Sequence, residues 1–188
     1  MILLDQSSSM TSVVSTVVDG FNDLVGAMPN SSYVSLFGFE SDNGLRIIFD
    51  YEKASSLRSL TVSDYALGSS TPLYDAISGA LLHINGDVTT APEGTTFVII
   101  SDGLENASTR YSRSETASYV RQAIDSGVTV RFFALGSDAA QEAQNLGIPT
   151  VNQATFTPDE SGVQDAFDSI GGSFNQSSNA SVCQKFVP

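Results

Sequence analysis

The chain opens on four apolar residues, Met1-Ile2-Leu3-Leu4, and changes character at Asp5-Gln6-Ser7-Ser8-Ser9. An unbroken apolar run of this kind predicts a strand covered on both faces. From Thr11 the period changes. Val14, Val17, Val18, Phe21, Leu24, Val25 and Met28 recur at three- and four-residue steps, which predicts an amphipathic helix. Pro29-Asn30-Ser31-Ser32 ends it. Residues 33–39 are apolar on both faces and predict a second strand. Ser41-Asp42-Asn43-Gly44 is a turn sequence, and residues 45–51 return as the other arm of a β-hairpin. Asp42 is assigned to that turn. Residues 54–65 are mixed, with room for one short helix.

The second half alternates more regularly. Gly68-Ser69-Ser70-Thr71-Pro72 precedes a helix whose apolar face is Leu73, Ile77, Ala80, Leu81 and Ile84. Pro72 suits its first turn, Thr71 its N-cap, and Asp75 the positive end of its dipole. A polar loop over 85–95 leads to Thr96-Phe97-Val98-Ile99-Ile100, a central parallel strand by its apolar run. It ends in Ser101-Asp102-Gly103. A helix over 114–126 stops at Gly127, a strand follows over 128–135, and a helix over 138–146 stops at Gly147. Residues 150–156 form an edge strand and 161–174 a last helix. The expected domain is therefore 1–174, with a Ser/Asn-rich tail or linker over 175–188. Strands alternating with helices, and one inserted hairpin, predict a doubly wound α/β fold. Its central sheet is mostly parallel, with one antiparallel edge strand and helices on both faces.

Composition narrows the function classes. The chain has 188 residues, enough for one sizeable core, and no apolar run of membrane length. Net charge is −13, from 21 acidic against 8 basic residues, and only Lys53 and Lys185 are lysines. Phosphate binding needs clustered cations, so nucleic acid is not an expected partner. Cys183 is the single cysteine, which leaves no internal disulfide and no thiolate metal site. No charged leader segment precedes the apolar start, and that start is short for a strand of its kind, as in a chain cut from a longer polypeptide.

The chemistry lies where strands end. Asp5 stands at the tip of the first strand, with Ser7 and Ser9 two and four residues on, and Asp102 stands at the tip of another. In open α/β sheets, ligands bind outside the carboxyl ends of the strands. Taken singly, Asp5, Ser7 and Thr71 are ordinary helix caps. Taken together, they are hard oxygen donors suited to Mg²⁺, Mn²⁺ or Ca²⁺. If the two strands are neighbours, their tips lie about 5 Å apart, and a dication would relieve the repulsion of the two carboxylates.

Asp5-Gln6-Ser7-Ser8-Ser9, Thr71 and Ser101-Asp102-Gly103 together resemble the metal-ion-dependent adhesion site of von Willebrand factor type A domains. Element order extends the resemblance to about Phe174. Thr71-Pro72-Leu73-Tyr74-Asp75-Ala76-Ile77 and Ile100-Ser101-Asp102-Gly103 look most like bacterial or phage members. The resemblance implies that Ser7 and Ser9 bind the ion directly, and that Thr71 does so directly or through water. Asp5 and Asp102 would act mostly through water, or one of them directly. A partner protein's Asp or Glu carboxylate would complete the shell, without membrane insertion and without catalysis. The rival reading is a metal-dependent hydrolase or phosphatase on a similar fold. Position 7 is Ser where an Asp-nucleophile phosphatase wants a second acid, and the lysines are misplaced by order. His83, the only histidine, is expected at a core boundary, and no Gly-x-Ser-x-Gly elbow or phosphate loop occurs. Glu105 and Asn106 are expected as solvated loop residues beside the site.

Overall fold

The computed structural model describes residues 1–83 and 94–183, with backbone alone from residue 173. The polar loop expected over 85–95 falls largely outside them. Six strands form one sheet: β1 (Ile2–Asp5), β2 (Tyr33–Glu40), β3 (Gly44–Lys53), β4 (Thr96–Ser101), β5 (Thr129–Leu135) and β6 (Gln153–Phe156). Their order is β3-β2-β1-β4-β5-β6. Every pairing is parallel except the β2–β3 hairpin, which puts β3 antiparallel at one edge. The expected doubly wound sheet with one antiparallel edge strand is thus observed.

Among the described residues five helices flank it: α1 (Val14–Ala27), α2 (Leu73–His83), α3 (Arg113–Asp125), α4 (Ser137–Asn145) and α5 (Glu160–Cys183). Two cores result. Val17, Phe21 and Leu24 of α1 and Val163, Phe167 and Ile170 of α5 pack with Leu4, Leu36, Ile100 and Phe133 on one face. On the other face, Leu73 and Ile77 of α2, Val120 of α3 and Ala139 of α4 pack with Leu3, Phe37, Ile99 and Phe132. Successive residues of β1 and β4 enter opposite cores, which is why those strands show no polar alternation. Each wholly buried Leu or Phe contributes about 1.5–3 kcal/mol. The two layers together hold β1 and β4 as rigid neighbours at the centre of the sheet.

Three boundaries differ from expectation. The first helix enters through a 3₁₀ turn over Ser8–Val13. Met10 N–H donates to the Ser7 carbonyl at 3.0 Å and the Thr11 hydroxyl to the Ser8 carbonyl at 2.6 Å. Such local bonds compete with the α-helical ladder until the valines begin. Residues 54–65 hold two 3₁₀ turns, Ala54–Ser56 and Val62–Asp64, in place of one short helix. The last helix runs on to Cys183, through the start of the expected tail. No Gly or Pro stands between Gly172 and Pro188 to stop it.

Candidate metal centre

The site grows from the end of β1. Leu4 lies level with Ile100 of β4, so Asp5 comes level with Ser101 and Asp102 stands one step beyond. Past Asp5 the chain stays extended. Gln6 N–H donates to the Phe39 carbonyl at 2.9 Å, and Ser7 forms a parallel bridge with Gly68. Gly68 has to be glycine, because a Cβ there would collide with the buried Glu40 carboxylate. The Tyr65 hydroxyl donates to the Asp5 carbonyl. The Ser7 segment is therefore held from both sides before it turns into α1.

All five residues expected from the sequence meet at this point. The Asp5 carboxylate is wholly buried. It accepts Ser7 N–H at 2.8 Å and the Ser101 hydroxyl at 2.5 Å. The Ser7 and Ser9 hydroxyls lie 3.0 Å apart, and Ser9 donates to Asp102 Oδ1 at 2.8 Å. The Thr71 hydroxyl packs over Gly103, 3.1 Å from where a Cβ would stand. Thr71 is buried, whereas Ser8 and Ser9 are exposed. The cluster thus has Asp5, Ser7 and Thr71 buried, Asp102 half-buried and the Ser9 hydroxyl at its exposed edge.

Burial raises the Asp5 carboxyl from its ordinary 3.8 to about 6. The hydrogen bonds from Ser101 and Ser7 oppose that rise, and the charge of Asp102 adds to it. Asp102 is also raised, chiefly by burial, against its hydrogen bond from Ser9. Burial and these two carboxylates hold the Tyr65 hydroxyl well above its ordinary range. Metal-free, the site therefore resists carrying both negative charges, and a dication among them would reverse that preference. The donor set is oxygen throughout, which fits a hard cation. Among the described residues no group of three or more His, Cys, Asp or Glu gathers, so this cluster offers two carboxylates and otherwise hydroxyls.

Two expectations about the surroundings are corrected. Asp75 does more than face its helix dipole: its carboxylate accepts N–H groups of Thr109, Arg110 and Tyr111 at 2.8–3.2 Å. Glu105 and Asn106 do lie in the loop, with Asn106 exposed, but both are hydrogen-bonded to the start of α2. Glu105 accepts Tyr74 N–H at 2.9 Å, and Asn106 Oδ1 accepts Thr71 N–H at 2.9 Å. Tyr65 has no signature in sequence, since its role depends on which strand tip it reaches, and Ser101, quoted only as part of the motif, gains its bond to Asp5 from the strand pairing. Asp42 keeps the turn, where it accepts the Ser41 hydroxyl at 3.2 Å. His83 keeps its boundary place, packed edge-on against Phe37 and 3.1 Å from Asp50.

No protein-family model matches the chain, and no curated protein matches it by sequence. Solved structures do match. The vWF domain of the type V pili tip protein Mfa5 from Porphyromonas gingivalis superposes with a TM-score of 0.72 at 13% identity, covering 94% of each chain. A von Willebrand factor type A protein from Catenulispora acidiphila gives 0.69 at 14% identity, over 92% of this chain and 41% of that one. Proximal thread matrix protein 1 from the mussel byssus, with a zinc-occupied metal-ion-dependent adhesion motif, gives 0.64 at 15% identity, over 90% and 46%. The chain therefore spans less than half the length of the latter two. By its strand order and by these likenesses, the chain has the fold of a von Willebrand factor type A domain.

Proposed function

We propose that this chain is a metal-dependent protein-binding module, used in adhesion or assembly and not in catalysis. The observation that carries the reading is the convergence of Asp5, Ser7, Ser9, Thr71 and Asp102 at the adjoining ends of β1 and β4. These five would hold a divalent cation, Mg²⁺ first, with Mn²⁺ or Ca²⁺ as alternatives. When bound, the cation supplies a coordination position open to an anionic oxygen. Asp5 puts negative charge on the buried side, Asp102 is half-buried, and the exposed Ser9 hydroxyl is a neutral group at the outer edge. That polarity favours an Asp or Glu carboxylate from a partner protein. The zinc-occupied site of the mussel protein supports a divalent ion at the corresponding place in this fold.

The hydrolase alternative is weaker on geometry. A nucleophilic Asp must face substrate, whereas Asp5 is wholly buried with one oxygen on Ser7 N–H and the other on the Ser101 hydroxyl. The test of the proposal is titration calorimetry of wild type and Ser7→Ala/Ser9→Ala with Mg²⁺ and Mn²⁺. Wild type should bind and the double variant should not, with its fold unchanged by circular dichroism. Equal affinity in both would sink the ligand assignment. Capture of a protein partner should then need Mg²⁺, fail in EDTA, and fail with the double variant.

A further inference from the structure

The loop between β4 and α3 makes more bonds to the N-terminal end of α2 than a connection needs. Asn106 brackets Thr71. Its Oδ1 accepts Thr71 N–H at 2.9 Å, and its own N–H donates to the Thr71 carbonyl at 3.2 Å. Only an oxygen can meet an N–H, so the orientation of the amide is settled by chemistry. One residue earlier, Glu105 Oε2 accepts Tyr74 N–H at 2.9 Å and the Ser108 hydroxyl at 2.7 Å. Glu105 Oε1 accepts the N–H groups of Ala107 and Ser108 at 2.8 and 2.6 Å. From the helix side, Asp75 takes the N–H groups of Thr109, Arg110 and Tyr111.

Thr71 needs such help. It is buried, so its N–H requires a partner, and the Pro72 that follows has no N–H of its own with which to brace the turn. Its hydroxyl sits against Gly103, and Gly103 adjoins Asp102. The bracket thus closes a small ring running from Asp102 through Asn106 to Thr71. Two segments far apart in sequence are tied together by that ring.

We infer that Asn106, supported by Glu105, is a positioning residue that fixes the Thr71 hydroxyl relative to Asp102 and thereby sets the affinity of the site for a divalent ion. The inference rests on the proposed metal site. It assigns Asn106 no contact with the ion; the residue acts through Thr71. Partners of metal ligands typically change affinity by 10- to 100-fold when removed.

The experiment is calorimetric titration with Mn²⁺ alone, on wild type, Asn106→Ala, Asn106→Asp and Glu105→Gln, alongside thermal unfolding of each in EDTA. Asn106→Ala should weaken Mn²⁺ binding about tenfold or more. Asn106→Asp keeps an oxygen toward Thr71 N–H and should bind at least as well as wild type. The affinity of folded protein is the informative readout, because a merely structural role would lower the EDTA unfolding temperature and leave affinity alone. If Asn106→Ala does not fold, Glu105→Gln replaces it. That change sets the amide NH2 against either Tyr74 N–H or the N–H groups of Ala107 and Ser108, and it should weaken Mn²⁺ in the same direction. Unchanged affinity in the variant that folds, or an equal loss in Asn106→Asp, overturns the positioning role while the metal site stands. Absence of Mn²⁺ binding in wild type overturns the metal site and this inference with it.

Discussion

Asp5 shows how one residue ties folding to ligand binding. With its carboxyl raised from 3.8 to about 6, the metal-free native state holds a proton that the unfolded chain has already lost between those values. Stability from this group is therefore greatest below about pH 4 and falls as pH rises toward 6. A cation needs the ionised form, so its affinity should fall as pH drops through 6, and binding there should release a proton. Titrations with Mn²⁺ at pH 6 in two buffers of different ionisation enthalpy should give different heats, and identical heats would remove the linkage. Asp5, Ser7, Ser9, Thr71 and Asp102 were legible in the sequence because each stands next to a recognisable strand end or helix start. Tyr65 was not legible. Its hydroxyl reaches the Asp5 carbonyl across sixty residues of chain, and no local pattern encodes that.

The packing of α1 on α5 includes one close approach. A Cβ on Gly20 of α1 would lie 2.6 Å from Phe167 Cδ2 of α5, and Phe167 is itself buried. Gly20→Ala should therefore strain the α1–α5 contact by about 1–3 kcal/mol. The better helix propensity of Ala returns about 1 kcal/mol of that. A lower urea midpoint is expected, partly restored by adding Phe167→Leu; a midpoint at or above wild type would show that Phe167 can move aside. The apolar periods of α1 and of α5 were each visible in sequence, but their mutual contact was not. The end of α5 was misplaced for a similar reason. Ser and Asn suggest a linker by composition, yet nothing after Gly172 forbids the helix. Composition is a weaker constraint than the absence of a breaker.

For the molecule as a whole, Asp5 and Asp102 are a source of repulsion that a bound dication would convert into cohesion. Asp102→Asn removes one of two neighbouring negative charges, so in EDTA the variant should be as stable as wild type or more so. A dication that binds only the native state adds RT ln(1 + [L]/Kd), about 2.7 kcal/mol at a hundredfold excess over Kd. Wild type should gain that amount in millimolar Mg²⁺ or Mn²⁺, and the variant should lose most of the gain. Thermal unfolding of both, with and without metal, gives the answer; an equal gain would remove Asp102 from the site. Among the described residues no helix is long and apolar enough to cross a membrane. The net charge of −13 suits attraction of cations toward the site.

The sequence by itself determined the element order and the doubly wound class, and it picked out the five candidate oxygen donors. Hydrophobic period is a local property, and strand ends carrying Asp and Ser are visible without knowing what they face. Only the tertiary structure decided which strand tips adjoin. The β1–β4 pairing brings Asp5 beside Ser101, and the loop after β4 brings Asn106 and Glu105 onto the start of α2. Those contacts join segments 31 to 96 residues apart. Their geometry is imposed by two packed cores acting on rigid strands, and no single stretch of sequence contains it.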